Sequence, residues 1–87
     1  MIQDQELKRM RWASRRGMLE LDLVLEPFVN HRYAALDEHD RQRYQRLMEC
    51  EDQELFAWFL RREQPEDADL AAIVSQVLVF ALDRGDA

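Results

Sequence analysis

The chain has 87 residues, 34% of them charged, with a formal net charge of −6, two glycines, two prolines and a single cysteine. One domain spanning 1–87 is the expectation at this length. No internal disulfide can staple it, and a net acidic chain repels a phosphate backbone, which argues against general nucleic-acid binding. No run approaches the ~20 apolar residues of a membrane span, and the opening MIQDQELKRMRW lacks the apolar stretch of a signal peptide. The sequence reads as soluble and cytoplasmic, with no direct membrane insertion.

The charge is uneven. Residues 1–16 hold five basic and two acidic side chains, and the remainder holds seven basic and sixteen acidic. A basic end of this kind steers encounter with an acidic protein surface. The first helix is expected over about 3–14, with Leu7, Met10 and Arg11 near one stripe and Trp12 beside it. Gly17 is expected to stop it as a left-handed C′ residue, with Arg15 and Arg16 near the negative end of the helix dipole.

The next stretch, 18-MLELDLVLEPFVNHRYAAL-36, carries two periods. Leu19, Leu21, Leu23 and Leu25 alternate with other residues as in a strand, yet Met18, Leu21, Leu25 and Phe28 share one helical face. Leucine favours helix and no second clear strand is available for pairing, so helix is the reading. Pro27 is expected to kink it or start a new turn.

A third helix over about 38–49 opens at Asp37, a good N-cap, and buries Tyr44, Leu47 and Met48. A fourth, about 53–62, opens near Asp52 and carries Leu55, Phe56, Trp58, Phe59 and Leu60, aromatic on more than one face. Pro65 separates it from a fifth, about 67–83, with Leu70, Ile73, Val74, Val77, Leu78 and Ala81 in one apolar stripe and Gly85 as a stop. Trp58 and Phe80, at helical spacing, read as core. The expected fold is all-α, a compact bundle of about five helices joined by short turns.

No catalytic constellation stands out. His31, His39 and Cys50 match no common zinc spacing, and two glycines leave no phosphate-cradling loop. Cys50 reads as a small buried hydrophobe rather than a nucleophile. The acidic run 49-ECEDQE-54 reads as helix caps and a solvated face.

The stretch 14-SRRGMLELD-22 is different. A bare turn needs little more than a capping glycine and charges suited to two helix ends. Here Trp12, Met18 and Leu19 crowd the bend, and Arg16 precedes Glu20 in the less favourable order for an intrahelical pair. Trp and Arg dominate binding hot spots, Met adapts to irregular surfaces, and a glycine beside them lets a partner's backbone approach. The bend is therefore the candidate docking surface.

The run 12-WASRRGMLELD-22 resembles the signature of the small succinate dehydrogenase assembly factors, the bacterial SdhE (YgfY) family and its mitochondrial relatives, whose hallmark RGxxE falls on Arg16, Gly17 and Glu20. Pro27 and Phe28 follow at the expected distance, and 47-LMECEDQELFAWF-59 is similar to the second block of the family, L-x-E-C-x-D-x-x-L-F-x-W. The resemblance implies a five-helix bundle that is not an enzyme. It would bind the flavoprotein subunit of succinate dehydrogenase, and in bacteria often that of fumarate reductase, and promote covalent attachment of FAD to it. FAD is then the cofactor of the client, and none is expected to be held tightly by this chain, nor any metal. The client-binding set is Arg9, Trp12, Arg15, Arg16, Gly17, Met18, Glu20 and Asp22, with no catalytic residue. The alternative reading is an antitoxin-like regulatory module that binds a small membrane protein through the aromatic fourth helix and the acidic face.

Overall fold

A computed structural model describes residues 3–83. These form α1 (Asp4–Ala13), α2 (Leu19–His31), a 3-10 turn (Tyr33–Ala35), α3 (Glu38–Met48), α4 (Asp52–Phe59) and α5 (Ala68–Asp83), with no strand among the described residues. The radius of gyration, 12.0 Å, is what a closely packed chain of this length gives, about 12 Å. The expected Gly85 stop lies outside the described residues.

The core is the common side of α2, α3, α4 and α5. Leu21, Leu25, Phe28 and Val29 of α2 meet Tyr44, Leu47 and Met48 of α3, Leu55 and Phe59 of α4, and Ile73, Val74 and Val77 of α5. Phe28 stacks on Tyr44 with ring centroids 5.6 Å apart, and Tyr33 meets Tyr44 edge-on at 5.5 Å. Trp58 and Phe80 are half-buried and pack against this core. The stripes expected for α3 and α5 are therefore the ones buried.

In α2 the helical period wins over the alternating one. Leu21 and Leu25 are inside, while Leu19 and Leu23 are 69% and 63% exposed. Pro27 lies inside a continuous α2 and starts no new turn there. Its missing N–H would have bonded the carbonyl of Leu23, a residue on the exposed face of the helix. The helix ends at His31 rather than 36, and the chain tightens into the 3-10 turn that carries Tyr33 into the core.

Both ends of α1 are tied to α3. Near its start, the buried Tyr33 hydroxyl donates to Glu6 at 2.7 Å and accepts from Gln45 at 2.9 Å, and Arg41 pairs with Glu6 at 3.2 Å. Burial pushes the Tyr33 phenol up to about 12. At its end, the fully buried Ser14 hydroxyl donates to the Met10 carbonyl at 2.7 Å and so accepts from the Tyr44 hydroxyl at 2.6 Å. Burial raises the Tyr44 phenol further still. Met10 and Ser14 complete the inward stripe with Leu7, and Arg11, expected on it, is exposed.

Caps set the other boundaries. Asp37 accepts from the Asp40 amide at 2.8 Å, as expected. At α4 the cap is Glu51, one residue earlier than expected, in a reciprocal box with Glu54. That helix stops at Phe59 rather than 62, because Arg61 takes a left-handed φ of 62° and the Arg62 and Arg61 amides bond the Ala57 and Trp58 carbonyls, the Schellman pattern. Asp67 accepts from the Asp69 and Leu70 amides to begin α5. Arg43 and Arg46 of α3 reach Asp69 and Asp67 across that start.

Candidate functional site

The bend Ser14–Met18 is built from the inside by one side chain. The Arg16 guanidinium donates from Nε to Asp52 at 2.8 Å and from one terminal nitrogen to the carbonyls of Ala13 at 2.9 Å and Met48 at 3.0 Å. The other terminal nitrogen donates to the carbonyl of Cys50 at 2.8 Å. Ala13 and Met48 are the last residues of α1 and α3, so two helix C-termini converge on one cation. Their unsatisfied carbonyls and the negative ends of both dipoles suit a planar fork of donors. Only 14% of the Arg16 side chain is exposed.

Arg16 and Glu20, both in the client-binding set, therefore face different ways. Buried carbonyls and Asp52 offer the guanidinium more acceptors than one exposed carboxylate does, and Glu20 remains on the outside in the first turn of α2. The acidic run 49–54 therefore does more than cap, since Asp52 locks the bend to α4. Asp22 also turns inward and accepts from the Arg16 backbone amide at 2.9 Å. Met18 is the N-cap residue of α2 and packs half-buried on the core.

Gly17 follows with φ +79°. It was expected as the C′ residue of α1, but α1 ends at Ala13 with Ser14 as its C-cap, and Gly17 is instead the left-handed step between Arg16 and α2. A Cβ placed on it would meet nothing within 4 Å. The fold itself thus asks for glycine only through φ, and leaves open space above the backbone.

Around the bend the surface is apolar and basic. Trp12 is 74% exposed. It lines a cleft of about 360 Å³ with Lys8, Arg11, Arg15, Glu26, Val29 and Asn30. Arg15 and Glu26 face each other at 4.0 Å across it. Leu19 and Leu23, four apart on α2, continue the exposed apolar surface. Arg9 is exposed but does not line the cleft.

The sequence-derived set therefore divides. Trp12, Arg15, Gly17 and Glu20 are outward around the bend, Arg16, Asp22 and much of Met18 are its inner frame, and Arg9 stands apart. Lys8, Arg11, Leu19 and Leu23 belong to the outward surface and were absent from the set. Their signal was present: alternating leucines on a helix require some to face out, and Lys8 and Arg11 are three apart, with Arg15 four further on.

Chemistry is not favoured elsewhere. Burial raises the Cys50 thiol above its ordinary range, the opposite of what a nucleophile needs. His31 and His39 are exposed. Among the described residues no cluster of three or more His, Cys, Asp or Glu could hold a metal, and no helix is long and apolar enough to cross a membrane.

The comparisons agree with the motifs. The model of the family described as flavinator of succinate dehydrogenase matches residues 8–81. The FAD assembly factor SdhE of Pseudomonas aeruginosa is 54% identical over 78 residues, covering 90% of this chain and 93% of the relative. The FAD assembly factor SdhE of Shewanella oneidensis is 52% identical over 71 residues, 82% and 87% of the two chains. That of Pectobacterium atrosepticum is 38% identical over 77 residues, 88% of each. With both sequence blocks and the helical fold in place, the chain belongs to the family of succinate dehydrogenase flavinators, whose curated members are named FAD assembly factors.

Proposed function

We propose that this chain binds the flavoprotein subunit of succinate dehydrogenase, and that of fumarate reductase where present, and promotes covalent attachment of FAD to a histidine of that subunit. The observation that carries the reading is the clamped bend. Arg16 fixes the backbone from inside, so Trp12, Gly17, Glu20, Leu19 and Leu23 are held outward in one arrangement before any partner arrives. A surface ordered in advance loses less freedom on binding, and its exposed indole and leucines suit a hot spot.

The flavin belongs to the client in this reading. What supports that is composition: two glycines, at 17 and 85, give no glycine-rich loop of the kind that holds a dinucleotide's pyrophosphate. The role left to the chain is to hold the client so that its histidine and its flavin are aligned. Alignment of two reacting groups lowers a barrier by up to about 7–11 kcal/mol.

The test is in-gel flavin fluorescence of the denatured flavoprotein subunit, co-expressed with no factor, with the native chain, or with Trp12→Ala, Leu23→Ala or Glu20→Ala. Covalent flavin should rise with the native chain and fall with each variant while their melting temperatures stay within a few degrees. Equal fluorescence in every lane overturns the reading.

A further inference from the structure

The bend is not the only surface with unburied apolar mass. On α5, Ser75, Val79 and Leu82 lie along one face, and Val79 and Leu82 are 53% and 66% exposed. They border a groove of about 500 Å³ between α5 and the turn after α4, whose floor includes Trp58, Val74 and Leu78. A second depression of about 390 Å³ meets it at Trp58, Glu63 and Gln64 and adds Glu54 and Glu66. None of the three glutamates takes part in an ion pair among the described residues. Arg61 is the one cation lining either depression.

The sequence marks this place too. In the second block, Leu47 and Leu55 are core and Asp52 is the Arg16 partner. Trp58 closes that block, yet it sits half-buried at the junction of the two depressions. Nothing in the clamp or the bend uses it.

We propose that the α4–α5 groove is a second docking surface, and that its occupant is a protein segment forming a short helix with an apolar stripe flanked by lysine or arginine. The apolar floor selects the stripe, and the acidic rim selects the cations, as in other helix-in-groove pairings. The groove follows α5 from Ala71 to Leu82, which at 1.5 Å per residue is about 16 Å, or three helical turns. The same carboxylates repel an anionic lipid surface. This surface lies on different elements from the bend, so the chain engages two segments at once: one on the basic, Trp12-bearing side and one on the acidic, Trp58-bearing side. The inference does not depend on what the bend binds.

The test uses the full chain and a fluorescein-labelled leucine/lysine peptide of about four turns with leucines at helical spacing, read by polarisation. The native chain should bind it and should not bind the leucine/glutamate counterpart. Glu63→Lys should weaken binding about ten-fold or more, and Glu38→Lys, the same change of charge on α3, less than about two-fold. Val79→Asn, which alters no charge, should also weaken it several-fold with an unchanged circular dichroism spectrum. Equal loss with Glu63→Lys and Glu38→Lys, or no loss with Val79→Asn, reduces the effect to general attraction and overturns the proposal, as does absence of binding by the native chain. Sedimentation of the native chain as a dimer that Val79→Asn dissociates makes a second copy the occupant, and overturns it too.

Discussion

Among the described residues, two adopt left-handed backbone, and they differ in a telling way. Arg61, φ 62°, ends α4. There the Schellman hydrogen bonds of the Arg61 and Arg62 amides hold the turn, and the fold tolerates a side chain where glycine would be easier. Gly17, φ +79°, sits in the bend with open space where a Cβ would go. Internal packing gives no more reason for glycine at 17 than at 61. The difference lies around them: the bend is clamped from beneath by Arg16 and ringed by exposed Trp12, Leu19 and Leu23, whereas the α4 turn has no such clamp. The φ at 17 asks for glycine by itself, and on the function proposed above the open space over it is where a partner's backbone approaches.

The largest way to break this contrast is to remove the clamp. Arg16→Ala leaves the carbonyls of Ala13, Met48 and Cys50 and the carboxylate of Asp52 without their donors. The expected loss is about 3 kcal/mol, more than about 10 °C in melting temperature for a chain of this size. Arg16→Lys keeps the charge but not the fork, and should fall between the two. Thermal unfolding checks both. If Arg16→Ala melts with the native chain, the clamp is not what holds the bend.

Alkaline pH attacks the anchors of α1, which end where the bend begins. The buried Tyr33 phenol is raised to about 12 in the folded chain, and burial also raises that of Tyr44. An unfolded phenol titrates near 10. The folded state therefore holds its protons more tightly, so the contribution is fully present below pH 10 and is lost as pH rises from 10 toward 12. The loss from Tyr33 alone is on the order of 2 kcal/mol. Denaturant midpoints at pH 9, 10.5 and 11.5 should fall in that order, and Tyr33→Phe should flatten part of the decline.

Gly17→Ala separates the two explanations of the glycine. The φ of +79° makes alanine strained by about 1 kcal/mol, a shift of several degrees in melting temperature. Covalent flavin in the client should fall by much more than that small loss explains, since the new methyl enters the space a partner's backbone would use. A variant that flavinylates its client at the native level, with the same modest loss of stability, would make Gly17 a matter of backbone conformation alone.

Much of the fold was legible because burial and helical spacing coincide. The stripes of α3 and α5 and the cap at Asp37 are set locally, by residues three and four apart. The ends were less legible where distant groups decide them. α2 continues through Pro27, which local propensity does not foretell, and α4 starts at Glu51 because Glu54 reaches back. The bend was legible as a place, and its inner wiring was not. RGxxE and the crowd of Trp12, Met18 and Leu19 located the bend. That Arg16 points inward depends on Met48, Cys50 and Asp52, more than thirty residues away, and no local pattern brings those together. Glu20 and Arg16 are neighbours in sequence with opposite fates for that reason.

The smallest effect sharpens the comparison from its other side. Arg61→Gly relieves the left-handed strain at the α4 stop and keeps the amides of 61 and 62 bonded to Trp58 and Ala57. Some of the gain is offset by the greater freedom of glycine in the unfolded chain, so a net stabilisation of about 0.5–1 kcal/mol is expected. Flavinylation of the client should not change, because residue 61 lies away from the bend. The same substitution removes the one cation from the α4–α5 groove and should tighten a basic peptide there. A stabilised variant with native flavinylation shows that a left-handed position can be optimised freely where only the fold uses it. The loss at Gly17→Ala then measures what is peculiar to the bend. If Arg61→Gly destabilises instead, the arginine side chain holds that turn, and the two left-handed residues are no longer a fair pair.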